Sequence, residues 1–165
     1  MAESTDLILD RLFDAPRDLV WRAWTDPEQL RKWWAPKPYE TAECEMDLRP
    51  GGKFYTRMIG PDGFDVSGTG CFLEVVDGER LVWTSALGEG WRPNVLAAED
   101  CGGLAFTAIV TFEDAGEGRT RYRVTAMHKN AQDSEAHARM GFHEGWGTCA
   151  DQLGAVSATL ARPAG

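Results

Sequence analysis

The sequence predicts an α+β domain in which a curved antiparallel sheet wraps around one long C-terminal helix, with two short helices near the N-terminus. Two observations predict this class. Short apolar segments alternate with turn signals as far as about residue 128, and the last segment, from about residue 134 to 160, has apolar residues at helical spacing. Sheet and helix would each have one apolar face to bury, so packing one against the other is the economical arrangement. The length suits a single domain over residues 1–165.

The N-terminal part begins with a strand and continues with two short helices. Residues 7–13 alternate apolar and polar side chains, as a half-buried strand does. Asp14-Ala15-Pro16 predicts a helix start with the proline at the first helical position, where its missing N–H costs nothing. The next start signal, Thr25-Asp26-Pro27-Glu28, has the form of a capping box. Two prolines soon afterwards predict that this second helix ends near Trp33-Trp34.

Four turn signals divide the middle of the chain into the strands of an antiparallel meander. Asp77-Gly78 is the strongest, because Asp-Gly between two apolar-rich segments is typical of a tight hairpin. The other turns lie at Pro50-Gly51-Gly52, Gly60-Pro61-Asp62-Gly63 and Ala115-Gly116-Glu117-Gly118. The segment between residues 86 and 103 is long and rich in glycine and polar residues, and loops of that length are often lids. Its Trp91 would serve equally well as a lid over a ligand or as an anchor of the loop.

The C-terminal segment is predicted to form one helix of about seven turns. Its apolar positions form a single stripe: Phe142, Trp146, Cys149, Leu153, Val156 and Leu160. Gly141, Gly145 and Gly147 weigh against a continuous helix, since a helical glycine costs about 1 kcal/mol relative to alanine. Close packing of the backbone or space left for a ligand would offset that cost, and a kink near these glycines is a further alternative.

The charge balance argues against two classes of partner. The formal net charge is -9 and the pI is about 4.8, whereas a nucleic-acid-binding protein normally presents a basic patch and an anionic membrane surface repels an acidic domain. The N-terminus is polar, and no apolar run approaches the roughly 18 residues of a membrane span. The four cysteines lack metal-ligand spacing. We therefore expect a cytoplasmic protein with reduced thiols, no metal and no cofactor.

Three segments of the chain resemble the Hsp 90 ATPase activator homologue family. They are residues 15–28 together with Trp33-Trp34-Ala35-Pro36, residues 48–54, and residues 140–146. The resemblance implies the helix-grip fold of the START or Bet v 1-like (SRPBCC) superfamily, which agrees with the order of elements given above. It also implies a hydrophobic internal cavity for a small lipophilic ligand. It implies no single activity, because members include ligand carriers, cyclases and hydrolases.

Nine side chains are the predicted lining of that cavity: Trp33, Trp91, Phe106, Tyr122, Val124, His128, Met140, His143 and Trp146. His128 ends an alternation along its strand, and His143 lies three residues before Trp146, so both histidines are expected to share a face with apolar residues. They would then converge near one mouth of the cavity as hydrogen-bonding groups. For His143, a position at the helix edge with a hydrogen bond to a loop is the alternative.

The sequence leaves three functions open. The first is binding of a small hydrophobic or aromatic molecule in the cavity. The second is a cyclase-type or hydrolase-type enzyme that uses acid–base chemistry there, since neither a Gly-x-Ser-x-Gly elbow nor a phosphate-binding loop is present. The third is stimulation of a chaperone ATPase, which the family name suggests. A chaperone contact is not expected, because the chain shows neither a second domain nor a long charged arm, whereas an exposed sheet edge would allow a homodimer.

Overall fold

The computed structural model describes residues 5–95 and 104–160, most of which belong to nine β-strands and four α-helices. The strands are β1 (Asp6–Phe13), β2 (Glu40–Met46), β3 (Lys53–Ile59), β4 (Asp65–Val76), β5 (Arg80–Thr84), β6 (Leu87–Gly88), β7 (Arg92–Pro93), β8 (Thr107–Gly116) and β9 (Arg119–Met127). The helices are α1 (Arg17–Thr25), α2 (Pro27–Leu30), α3 (Ala131–Arg139) and α4 (Phe142–Leu160).

Seven strands form one curled antiparallel sheet in the order β1-β9-β8-β5-β4-β3-β2, and β6 and β7 pair with each other separately. The predicted meander is confirmed from β2 onwards, since each strand pairs with the next except where the β6–β7 hairpin intervenes. The hairpin predicted at Asp77-Gly78 joins β4 to β5. The first strand departs from the meander. It pairs with β9, so the first and the last described strands lie side by side, with β1 at the edge of the sheet.

The two N-terminal helices form where they were expected, with different caps. Pro16 has extended backbone angles and is the N-cap of α1, so the helix begins at Arg17, one residue later than predicted. Asp26, rather than Thr25, caps α2, because the Asp26 carboxylate accepts the Glu28 N–H at 3.0 Å. The Thr25 hydroxyl instead donates to the Trp21 carbonyl oxygen at 2.8 Å. The capping box predicted for Thr25 is therefore wrong, while the helix start is confirmed.

The predicted single C-terminal helix is two helices. Asn130 caps α3 by accepting the Asp133 N–H at 2.8 Å, so helical structure begins earlier than residue 134. The helical structure is then interrupted between Met140 and Phe142, because Gly141 has φ +93°, which a right-handed helix excludes. The longer helix α4 packs against α1 and β1 and presents the apolar stripe to the interior. In the described part of the chain, no helix is long and apolar enough to span a membrane.

Aromatic rings occupy the space between the sheet, α1 and α4. Ring contacts with centroid separations of 4.6 to 5.9 Å connect the members of this set, which we call the aromatic layer: Trp24, Trp33, Trp34, Phe54, Phe72, Trp83, Phe106, Phe142 and Trp146. Two open hollows lie elsewhere, one of about 290 Å³ along Val76 and Arg80 and one of about 480 Å³ beside Cys44 and Tyr55. The interior expected to hold a ligand is thus filled mainly by indole and phenyl rings.

Candidate ligand-binding site

The predicted lining residues divide into a buried group and a surface group. The buried group contains Trp33, Phe106, Tyr122, Val124 and His128. Trp146 is half-buried, and Met140, His143 and Trp91 are exposed. Trp33 is a core residue, since it is 2% exposed and its indole N–H donates to the Ala23 carbonyl oxygen at 2.8 Å. Val124 is likewise enclosed by the core beneath α4.

Met140 and His143 lie at the junction of α3 and α4 and do not line the interior. Met140 is 53% exposed at the end of α3, and His143 is exposed in the first turn of α4, where its ring contacts that of Phe142 at 5.1 Å. Met140 lies before Gly141, where the chain changes direction, so it is not part of α4. His143 is in α4 with Trp146, yet the structure places its side chain at the surface, which excludes the expected cavity position.

Trp91 anchors the short β6–β7 hairpin to the turn between β2 and β3. Its ring lies directly over Gly51, where an added Cβ would come within 2.7 Å of the indole. The Gly90 N–H donates to the Gly51 carbonyl oxygen at 2.8 Å beside it. The ring remains 54% exposed and seats on the turn, so the anchor interpretation of Trp91 is the one that fits. Residues 96–103 of the predicted lid, with Cys101, lie outside the described residues.

Four consecutive rings of the aromatic layer include both half-buried indoles of this layer, and we call them the aromatic rim: Trp34, Trp83, Phe106 and Trp146. Trp83 and Phe106 project from β5 and from the residue before β8, and both are 6% exposed. Trp34 and Trp146 are half-buried at either side of them. The centroids follow one another at 5.9 Å for Trp34 and Trp83, 5.4 Å for Trp83 and Phe106, and 5.6 Å for Phe106 and Trp146. These separations are those of favourable ring–ring contacts, so the four rings pack against one another.

Cys149 joins the two half-buried tryptophans of the rim from the side of α4. It lies three residues after Trp146 and therefore on the same side of the helix, and its thiol lies 3.2 Å from the Trp34 carbonyl oxygen. Burial raises the pKa of Cys149 to about 12, so the thiol stays protonated near neutral pH and is a weak nucleophile. This side of the rim is therefore suited to packing rather than to thiol chemistry.

Tyr122 supplies a buried hydroxyl beneath the rim. The indole N–H of Trp24 donates to the Tyr122 hydroxyl oxygen at 3.2 Å, and the phenol ring stacks on Phe13 at 5.3 Å. Burial raises the pKa of Tyr122, which keeps the phenol neutral. Tyr122 was predicted to line the cavity, but its hydroxyl oxygen accepts the Trp24 N–H within the core.

Two buried histidines form a hydrogen-bonded pair next to the rim. His128 Nδ1 lies 2.7 Å from the Thr5 carbonyl oxygen, and His128 Nε2 lies 2.8 Å from His137 Nδ1. The His137 ring contacts two rim rings, with centroids 4.9 Å from Phe106 and 5.6 Å from Trp146. Burial, reinforced by the nearby His128, lowers the pKa of His137 to about 4, so its imidazole is neutral at pH 7.

The predicted convergence of His128 with His143 is wrong, because the partner of His128 is His137. Sequence reasoning missed His137 because it predicted a single continuous helix from about residue 134 to 160. Asn130 followed three residues later by Asp133 is the signal that would have found it, since it starts a separate helix whose buried side carries Ser134 and His137. With residues 5–95 and 104–160 considered, no group of three or more His, Cys, Asp or Glu side chains could hold a metal ion.

Comparison with known proteins agrees with this architecture. Residues 14–158 match the family described as "Activator of Hsp90 ATPase homolog 1-like protein". A crystal structure of a protein from Nitrosomonas europaea is 43% identical, with a TM-score of 0.87 and coverage of 97% of this chain and 98% of the other. A protein from Arthrobacter aurescens is 27% identical over 96% and 89% of the two chains, with a TM-score of 0.76.

An AHSA1-like protein from Aeromonas hydrophila shares the fold, with a TM-score of 0.68 over 97% of this chain and 98% of the other at 23% identity. No curated protein matches the sequence. The predicted resemblance and the helix-grip fold are both confirmed by the family match and by these structures. The chain belongs to the family of activator of Hsp90 ATPase homolog 1-like proteins.

Proposed function

We propose that this domain binds a small aromatic or apolar molecule against the aromatic rim, beside α4, with no obligatory cofactor. The observation that carries the proposal is the pairing of two half-buried indoles, Trp34 and Trp146, with the buried rings of Trp83 and Phe106 behind them. Half-buried tryptophans leave apolar area uncovered beside a preformed apolar wall. A flat guest covering that area would remove both surfaces from water.

The affinity expected from this geometry is modest. A molecule of the size of indole that buries roughly 150 Å² of apolar surface gains about 4 kcal/mol. Loss of translational and rotational freedom opposes that gain, while each good ring–ring contact adds about 0.5–1.5 kcal/mol. We therefore expect a small probe to bind with a dissociation constant of about 1 mM or weaker, and the natural ligand, with more area or polar groups, to bind more tightly.

The proposal predicts which tryptophans respond to a ligand. Each of the seven tryptophans gives one indole N–H resonance in a ¹H–¹⁵N spectrum. Titration with indole should shift the resonances of Trp34, Trp83 and Trp146 in a saturable way. The resonance of Trp91 should not move, because that ring is seated on Gly51 away from the rim. Shifts confined to Trp91, or a response that rises linearly without saturation, would count against a site at the rim.

Two matched substitutions test the rim directly. Trp146→Leu removes a ring that contacts Phe106 and should weaken indole binding about fivefold, the equivalent of one ring–ring contact. Trp91→Leu removes the same number of atoms from the surface and should leave the affinity unchanged. Circular dichroism and the remaining indole resonances report whether each variant is folded. Equal affinity for wild type and Trp146→Leu would reject the rim as the site.

A cyclase or hydrolase reaction at the rim is the second candidate, and the position of His137 favours it. A neutral imidazole that contacts Phe106 and Trp146 could take a proton from a molecule bound there. For an enzyme, removal of this base should lower turnover a hundredfold or more, whereas a binding protein should lose only the contribution of one hydrogen bond. Kinetics and binding measured on the same His137→Asn sample separate the two functions.

The family name raises the chaperone function as a third outcome. A protein that stimulates a chaperone should raise the ATPase rate of an Hsp90-type partner in a mixing assay. If the domain only binds a small molecule, the ATPase rate should not change, with or without indole. A stimulation that survives Trp146→Leu would assign the function to another surface of the domain.

A further inference from the structure

One nitrogen of the histidine pair has a defined protonation state and no partner. The oxygen of the Thr5 carbonyl can only accept, so His128 Nδ1, 2.7 Å away, carries a hydrogen. In a neutral imidazole the other nitrogen is then bare, so His128 Nε2 accepts. The hydrogen between His128 Nε2 and His137 Nδ1 must therefore sit on His137 Nδ1. It follows that Nε2 of a neutral His137 is a bare hydrogen-bond acceptor.

The side chains that contact the His137 imidazole are mainly aromatic rings of the core. The residue is 4% exposed, and the rings of Phe106, Phe142 and Trp146 contact it at 4.9, 5.2 and 5.6 Å. Within the described residues, His137 Nε2 makes no hydrogen bond, since the contact to His128 uses Nδ1. A bare acceptor beside these rings gains a hydrogen bond from a donor brought to it, whereas a second acceptor there would meet its lone pair.

We propose that His137 Nε2 is the polar anchor of the aromatic rim and that the ligand is a neutral aromatic molecule with an N–H or O–H donor, such as an indole or a phenol. This inference rests on the proposed function, because the ring of the ligand packs on Phe106 and Trp146 while its donor reaches the imidazole. It excludes carboxylates as the group that meets His137, since a carboxylate is an acceptor only. The backbone carbonyl of Thr5 acts through His128 as the element that fixes the orientation of this acceptor.

The tautomer is measurable without any ligand. Long-range ¹H–¹⁵N spectra distinguish a bare imidazole nitrogen from an N–H nitrogen, and at pH 8 histidines are neutral. We expect His137 to show hydrogen on Nδ1 and a bare Nε2, and His128 to show the same pattern. Hydrogen on Nε2 of His137 would overturn the inference, whatever the domain binds.

Two isomeric probes test the anchor itself. 3-Methylindole keeps its N–H, whereas 1-methylindole has the same composition and carries a methyl group in place of that hydrogen. We expect wild type to bind 3-methylindole about three- to tenfold more tightly, as one hydrogen bond to a neutral acceptor implies. On binding, the ¹⁵N resonance of His137 Nε2 should shift towards that of a hydrogen-bonded nitrogen.

A matched variant removes the acceptor while keeping the pair. His137→Asn places an amide N–H near the position of Nδ1, where it still donates to His128 Nε2, and removes Nε2. The preference for 3-methylindole over 1-methylindole should vanish in this variant. If this variant does not fold, the ¹⁵N shift of wild-type His137 on binding decides the question. Equal binding of both isomers to wild type would overturn the anchor and leave the rim as a site, and binding of neither isomer nor indole would overturn the proposed function as well.

Discussion

Gly141 and Gly145 are two glycines four residues apart that the chain uses in opposite ways. An added Cβ at either position would meet no atom within 4 Å, so neither is held to glycine by packing. They differ in the backbone: Gly141 has φ +93° between α3 and α4, whereas Gly145 lies within α4. Conformation alone therefore distinguishes them.

Alanine at these two positions should have opposite effects on stability. Gly145→Ala should raise the free energy of unfolding by about 0.5–1 kcal/mol, because alanine loses less conformational freedom in a helix. Gly141→Ala should lower it by about 1–2 kcal/mol, the cost of forcing an L-residue into the left-handed region. Urea unfolding of both variants measures the pair. A loss of stability for both would mean that α4 tolerates no side chain on that surface.

His137 also predicts how stability depends on pH. Its pKa is lowered from 6.5 to about 4 in the folded protein, so the unfolded chain binds a proton first as the pH falls. The contribution of His137 to the free energy of unfolding is fully present above pH 6.5 and is lost as the pH falls from 6.5 to 4. The loss is on the order of 1–3 kcal/mol. His137→Asn should flatten the fall in the free energy of unfolding over this window. His143→Asn is the matched variant, because it makes the same substitution at an exposed histidine.

At the scale of elements, we expect the stability of the nine-residue helix α3 to depend on its N-cap. The Asn130 side chain accepts the Asp133 N–H, and α3 carries His137 to the rim. Asn130→Ala should cost about 1 kcal/mol in the free energy of unfolding, whereas Asn130→Asp keeps the acceptor and should cost much less. Amide hydrogen exchange would locate the loss: in Asn130→Ala the exchange rates of α3 should rise more than those of α4. Unchanged exchange would show that tertiary contacts alone hold α3 in place.

Local signals explain which elements could be predicted. The turn at Asp77-Gly78 was predictable because Gly78, with φ +74°, supplies the conformation that a tight hairpin needs, and the flanking segments are apolar. The break at Gly141 was only one of the alternatives that the glycines left open, because no local signal distinguished Gly141 from Gly145 and Gly147. The pairing of β1 with β9 was also out of reach, because no local pattern states which edge of a sheet the first strand joins.

At the scale of the whole molecule, the candidate site was predictable in composition and not in arrangement. The sequence indicated that Phe106, Tyr122 and Trp146 belong to one apolar interior, and all three contact the core there. It did not indicate whether their rings surround a space or fill it. That depends on how closely α4 approaches the sheet, and Gly154 sets part of this distance, since an added Cβ would come within 2.9 Å of the Phe13 ring.

The pairing of β1 with β9 has a consequence for synthesis on the ribosome. Leu9 and Phe13 leave the ribosome well before their cross-strand partners Val124 and Thr120. Until β9 has been synthesised the first strand has no neighbour, and its apolar side chains stay available to other surfaces. The sheet is therefore completed only after β9 emerges, and a message truncated before β9 would release a chain whose first strand is unpaired.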